Sequence, residues 1–135
     1  MNRLLLLLAA LSLTVCGYGM TREQAVKQAV AWRLGHVTDR SFSFVTPTGS
    51  MRPAITENAV LLLQRATGAD LHRGDIAIYT RNEDGVGDDT ICHRVTAISR
   101  NGWFYFAGDH NRYSDGWIAP CRIRWRVVQV LNFNP

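Results

Sequence analysis

Hydrophobic positions divide the chain into three unlike stretches. From Leu4 to Val15, twelve residues run with only Ser12 and Thr14 polar, behind the short basic start Met1-Asn2-Arg3. Such a run suits the apolar region of an export signal better than a full membrane span, which needs ~20 residues. Carried on through Met20 it reaches seventeen, the bottom of the spanning range. Next, Thr21-Arg22-Glu23-Gln24 reads as a capping box that opens a helix. Val26, Val30 and Leu34, flanked by Ala25, Ala29 and Trp32, form its apolar stripe, and Gly35 supplies the stop. That stripe is expected to pack against a sheet or a membrane surface. Beyond it the period falls to two. Strands are expected around Phe42 and Phe44, at Ala59 to Leu63, Ile76 to Tyr79, Ile91 to Ile98, Trp103 to Phe106 and Ile123 to Leu131. Gly-, Asp- and Asn-rich turns separate them. The class is mainly β: a single compact β domain behind one N-terminal hydrophobic segment and a short amphipathic helix.

Composition narrows this further. With 135 residues, 47% of them hydrophobic and 19% charged, the chain is a folded protein with room for one domain, not a disordered one. The division expected is residues 1–20 as anchor or signal and 21–135 as the domain. Three fates compete for the first segment: a signal cleaved near Val15-Cys16-Gly17, a lipidated Cys16 in the lipobox-like Leu13-Thr14-Val15-Cys16, or a retained anchor. All three place the rest outside the cytoplasm. Cys92 and Cys121 then remain as a pair that either bridges or stays as two free thiols. The net charge of +4 suits an anionic membrane surface as well as nucleic acid. Fourteen of the fifteen basic residues are arginine, and Lys27 is the single lysine.

Two motifs carry little. Arg73-Gly74-Asp75 spells an adhesion tripeptide but stands in a turn ahead of a strand. Arg122, Arg124 and Arg126 alternate on one strand face, a pattern open to phosphate binding and, more commonly, to plain solvation.

The chemistry concentrates in three other places. Ser50 lies between Gly49 and Met51, in a bend fenced by Pro47 and Pro53 that can aim amide N–H groups at a carbonyl. His93 shares a strand face with Ile91 and Val95, the position of an ordinary core histidine when taken alone. Gly108 to Asp115 reads as a polar loop with two carboxylates, Asp109 and Asp115. Taken together, serine, histidine and aspartate make a nucleophile, a base and an orienting acid brought from three separate segments.

The spelling of these segments resembles the signal peptidase I family. Gly49-Ser50-Met51-Arg52-Pro53 is similar to its Ser-Met-x-Pro box, Arg73 to Tyr79 to its Gly-Asp-Ile strand, and Gly108-Asp109-His110-Asn111 to its Gly-Asp-Asn box, with His110 where asparagine is usual. The likeness spans roughly residues 40 to 130. Most bacterial members use a lysine base ahead of an arginine. Here His93 precedes Arg94, as in the archaeal and endoplasmic-reticulum branch, while Lys27 lies before the serine on the expected helix. The resemblance implies a serine endopeptidase that cleaves signal peptides after small residues. It assigns catalysis to Ser50, His93 and Asp115, places Thr48 at the oxyanion, and leaves Asp109 and Arg94 as supports. It also implies an extended peptide substrate bound as an added strand, a membrane location with the domain extracytoplasmic, and no nucleic acid, metal or organic cofactor. The alternatives are an exported or lipidated binding domain of the same fold without peptidase activity, and an enzyme of that fold with a soluble substrate.

Overall fold

The computed structural model describes residues 19–135. The expected signal, anchor or lipidated cysteine falls almost wholly outside those residues. Among the described residues, no helix is long and apolar enough to cross a membrane.

Helix α1 spans Arg22–Gly35 and starts as the sequence predicts. The Gln24 N–H donates to Thr21 Oγ1 at 3.2 Å, and the Thr21 N–H donates to Gln24 Oε1 at 2.8 Å. Its buried face differs from the expected one. Ala25 and Ala29 are fully buried, whereas Val30 and Leu34 are exposed. The two alanines have no bulk beyond Cβ, so they let the helix axis come close to the sheet, where they meet Val60, Leu62 and Leu131. Trp32 secures this approach by donating its indole N–H to the Leu63 carbonyl at 3.0 Å. The helix also ends one residue later than expected, with His36 rather than Gly35 as its cap.

Among the described residues, seven strands form one antiparallel sheet: β1 (Arg40–Phe44), β2 (Ala59–Arg65), β3 (Ile76–Thr80), β4 (Thr90–Ile98), β5 (Phe104–Ala107), β6 (Ser114–Ile118) and β7 (Ile123–Asn132). Their order is β1-β2-β7-β3-β4-β5-β6. The last strand therefore lies between β2 and β3 and joins the two halves of the sheet. The continuous apolar run of β2 follows from burial on both faces. Val60 and Leu62 meet α1, while Leu61 and Leu63 join Met51, Ile55 and Ile78 on the other side. A third cluster gathers Tyr79, Val95, Phe104, Phe106, Ile118 and Ile123.

Strand β6 corrects the reading of Gly108 to Asp115 as loop throughout. Ser114, Asp115 and Gly116 show no apolar alternation, so nothing local marks a strand. Its ladder to β5, with Phe104 opposite Ile118 and Phe106 opposite Gly116, makes it one. Tyr105 and Trp117 reinforce the pairing with ring centroids 5.0 Å apart.

The other sequence motifs resolve into structural roles. Arg122, in a short 3-10 turn before β7, donates to the carbonyls of Thr80 and Arg81 at 3.0 and 2.8 Å, and Arg124 donates to that of Cys121 at 3.1 Å. Arg73-Gly74-Asp75 is a turn, held by the Gly74 N–H donating to the Val95 carbonyl at 2.8 Å. Cys92 and Cys121 are both free thiols.

Candidate active site

Ser50 lies in the bend that leads out of the segment following β1. Gly49 precedes it at φ +74°, a left-handed conformation in which a side chain would be strained. Met51 on its other side is buried among Ile55, Leu61 and Ile78, which pins the bend to the core. Ser50 is therefore held from both sides and presents its hydroxyl to the cleft.

His93 is on β4, directly opposite Ala77 of β3. Period-two alternation turns its ring toward the core face, and it is 7% exposed. The ring is occupied at both ends. Nε2 lies 3.1 Å from Ser50 Oγ, and Nδ1 lies 2.5 Å from Asp115 Oδ2. A carboxylate only accepts, so Nδ1 carries the proton and Nε2 is left to accept from the serine hydroxyl. Thr48 Oγ1 completes the row at 3.2 Å from Ser50 Oγ and 3.4 Å from the Ser50 nitrogen. Protons in this row can all point one way: Thr48 to Ser50, Ser50 to His93, His93 to Asp115.

Asp109 is held apart from this row. Its two oxygens accept from Arg94 Nε and Nη2 at 2.8 and 2.7 Å, while Arg94 Nη1 donates to the Gly74 carbonyl at 2.8 Å. The Asp109 contact raises the guanidinium's affinity for its proton further. This cluster ties the loop after β5 to the turn before β3. The same loop grips the nucleophile bend, since the His110 N–H donates to the Ser50 carbonyl at 2.9 Å. Gly108 makes that approach possible, because a Cβ there would stand 2.7 Å from the Ser50 carbonyl oxygen.

The row opens on a cleft of about 530 Å³. It is lined by Phe44 to Thr46 at the end of the edge strand β1 and by Thr90 to His93 of β4. The floor is apolar, formed by Met51, Ile55, Leu61 and Ile78. Cys92 adjoins this floor, and burial pushes its thiol up to about 12. Among the described residues, no cluster of His, Cys, Asp and Glu could hold a metal ion.

The structure thus brings Ser50, His93, Asp115 and Thr48 together and sets Asp109 and Arg94 beside them. Tyr79 is the residue that reading the sequence alone passed over. It lies on the same strand as Ala77 and faces the same side, so its side chain shares the His93 face of the sheet. Period two places it there, with its ring centroid 4.7 Å from that of Phe106. Compared with known proteins, the chain matches no family model, no curated protein and no solved structure.

Proposed function

We propose that this protein is a serine endopeptidase that works like signal peptidase I, cleaving signal peptides from exported preproteins after small residues. The observation that carries the reading is the continuous contact Ser50 Oγ–His93 Nε2 and His93 Nδ1–Asp115 Oδ2, opening on a cleft beside an edge strand. A binding domain has no need of a buried imidazole aligned between a hydroxyl and a carboxylate.

The reaction follows from the row. Ser50 Oγ forms a bond to the substrate carbonyl carbon while His93 Nε2 takes its proton. The oxyanion so formed is met by the Ser50 N–H and the Thr48 hydroxyl, which turns from Ser50 Oγ toward the new charge. Collapse breaks the C–N bond, and His93 returns its proton to the departing amine. Water then attacks the acyl ester, losing its proton to His93, and Ser50 is released with its proton restored. Asp115 holds the ring's tautomer and balances the imidazolium in both halves. The substrate lies extended along the β1 end of the cleft, where edge-strand backbone groups pair with it. A retained N-terminal segment keeps the cleft at the bilayer from which such substrates emerge.

Cleavage of a preprotein bearing an Ala-x-Ala site, by the wild type and by Ser50→Ala, tests the reading. Product from the wild type alone supports it. Equal cleavage by both, or none by either with folded protein, removes it and favours the non-catalytic binding domain.

A further inference from the structure

Tyr79 and Asp115 are two polar groups that each lack a partner the other could supply. The Tyr79 side chain is 1% exposed, with its ring 4.7 Å from that of Phe106, and its hydroxyl makes no hydrogen bond among the described residues. The Asp115 carboxylate is also shielded, at 17% exposure, and its hydrogen bonding among the described residues is confined to Oδ2, which meets His93. Tyr79 shares a sheet face with His93, which holds Asp115, and its ring lies against Phe106, the partner in register of Gly116 next to Asp115. Burial first, and then the neighbouring Asp115 carboxylate, push the hydroxyl's ionisation upward, against a smaller opposite pull from Arg122 and Arg81. The hydroxyl thus stays a proton donor, standing beside an acceptor without yet meeting it in hydrogen-bonding alignment.

An apolar core has no use for that hydroxyl. Phenylalanine would pack on Phe106 equally well and leave no buried donor unsatisfied. The orphan is explained if it serves the carboxylate. We infer that Tyr79 is a positioning residue whose hydroxyl donates to the free oxygen of Asp115 and holds that carboxylate in plane with the His93 ring. A carboxylate anchored by one oxygen alone can swing about its Cβ–Cγ bond. A second donor stops the swing and spreads the negative charge, so the His93 Nδ1 proton stays shared with Oδ2. The role rests on the peptidase reading of the site, since it acts through Asp115 on the base for Ser50.

A double-mutant cycle on the full-length chain in detergent decides it, using an internally quenched Ala-x-Ala peptide and the variants Tyr79→Phe, Asp115→Asn and their combination. Tyr79→Phe is expected to lower kcat about tenfold with KM little changed. In the Asp115→Asn background it should lower kcat less than twofold, because the group it positions is gone. Wild-type kcat in Tyr79→Phe, or the same loss in both backgrounds, overturns the role. A second readout needs no substrate: the far-downfield proton resonance of His93 Nδ1–H. In Tyr79→Phe it should move upfield, as the unanchored carboxylate swings out of line with the Nδ1 proton; an unmoved signal overturns the pairing. If the wild type cleaves no peptide, the peptidase reading fails, and the resonance alone then decides whether Tyr79 pairs with Asp115.

Discussion

Arg94 and Asp109 clasp each other through two parallel hydrogen bonds, Nε to Oδ1 at 2.8 Å and Nη2 to Oδ2 at 2.7 Å. Adjacent residues of β4 therefore claim different carboxylates from one short stretch of chain. Arg94 takes Asp109 to brace the loop, and His93 takes Asp115 for the row that reaches Ser50. Asp109→Asn removes one charge and one half of the clasp, both away from the reacting atoms. It should lower stability by about 1–3 kcal/mol, read by denaturant unfolding, with kcat changed far less. A loss of kcat larger than that of Asp115→Asn would show that the two roles are exchanged.

Asp115→Asn should behave in the opposite way. The amide can donate to Nδ1 and so favours the tautomer whose Nε2 carries a proton, which cannot accept from Ser50. In chymotrypsin-like triads the same change lowers kcat about 10⁴-fold. A loss of that order is expected here, with the circular dichroism spectrum and the unfolding midpoint close to the wild type.

The base sets the acid side of the activity profile. A protonated His93 has no lone pair for the serine proton, so kcat/KM should fall as pH drops and the ring takes up its second proton. His93→Lys should not restore activity at neutral pH. A lysine works as a base only when desolvation strips its charge, and here the Asp115 carboxylate would hold that charge in place. Full activity in His93→Ala would show that the wrong base has been named.

Gly108 tests how the nucleophile bend is held. Gly108→Ala places a methyl 2.7 Å from both the Ser50 carbonyl oxygen and the Asn111 side-chain nitrogen. The backbone carbonyl cannot step aside without moving Ser50. The chain should still fold, while kcat falls about 10²-fold, as expected when a reacting group shifts by about an ångström. Wild-type turnover in this variant would show that the loop does not set the serine's position.

The two free cysteines among the described residues differ in reactivity and in their effect on stability. Burial raises the Cys92 thiol from 9.0 to about 12, so at pH 8 it remains protonated, while Cys121 is exposed. Peptide mapping after brief iodoacetamide treatment at pH 8 should find Cys121 alkylated and Cys92 intact. The raised value also has a thermodynamic sign. The unfolded chain releases the Cys92 proton near pH 9 and the folded chain near 12, so this contribution is whole below pH 9 and declines as pH rises toward 12. Thermal scans should show the melting temperature falling across that window, less steeply in Cys92→Ala.

Local order was largely readable before any fold was known. The capping box at Thr21 and Gln24, the alternation that turns His93 inward with Ile91 and Val95, and the fenced bend around Ser50 all depend on residues within a few positions of one another. The helix face was misread because hydrophobicity ranks valine and leucine above alanine, whereas close approach to the sheet selected Ala25 and Ala29 for their size. Strand β6 was missed because its stability comes from β5 beside it and not from its own spelling.

What the sequence by itself determined was therefore an inventory of segments and their periods: a serine bend, an inward-facing histidine, a loop offering two carboxylates, and strands enough for one sheet. Only the tertiary structure decided how they meet. Pairing of β3 with β4, β4 with β5 and β5 with β6 brings together residues 15 and 22 positions apart, giving Asp109 to Arg94 and Asp115 to His93, and puts Tyr79 on the His93 face. The buried Met51 carries Ser50, 43 positions from His93, to the same ring. The physical reason is that periodicity reports only which side of a strand a residue faces. Which partner waits on that side is set by sheet order and register, and these follow from burying all three hydrophobic clusters at once.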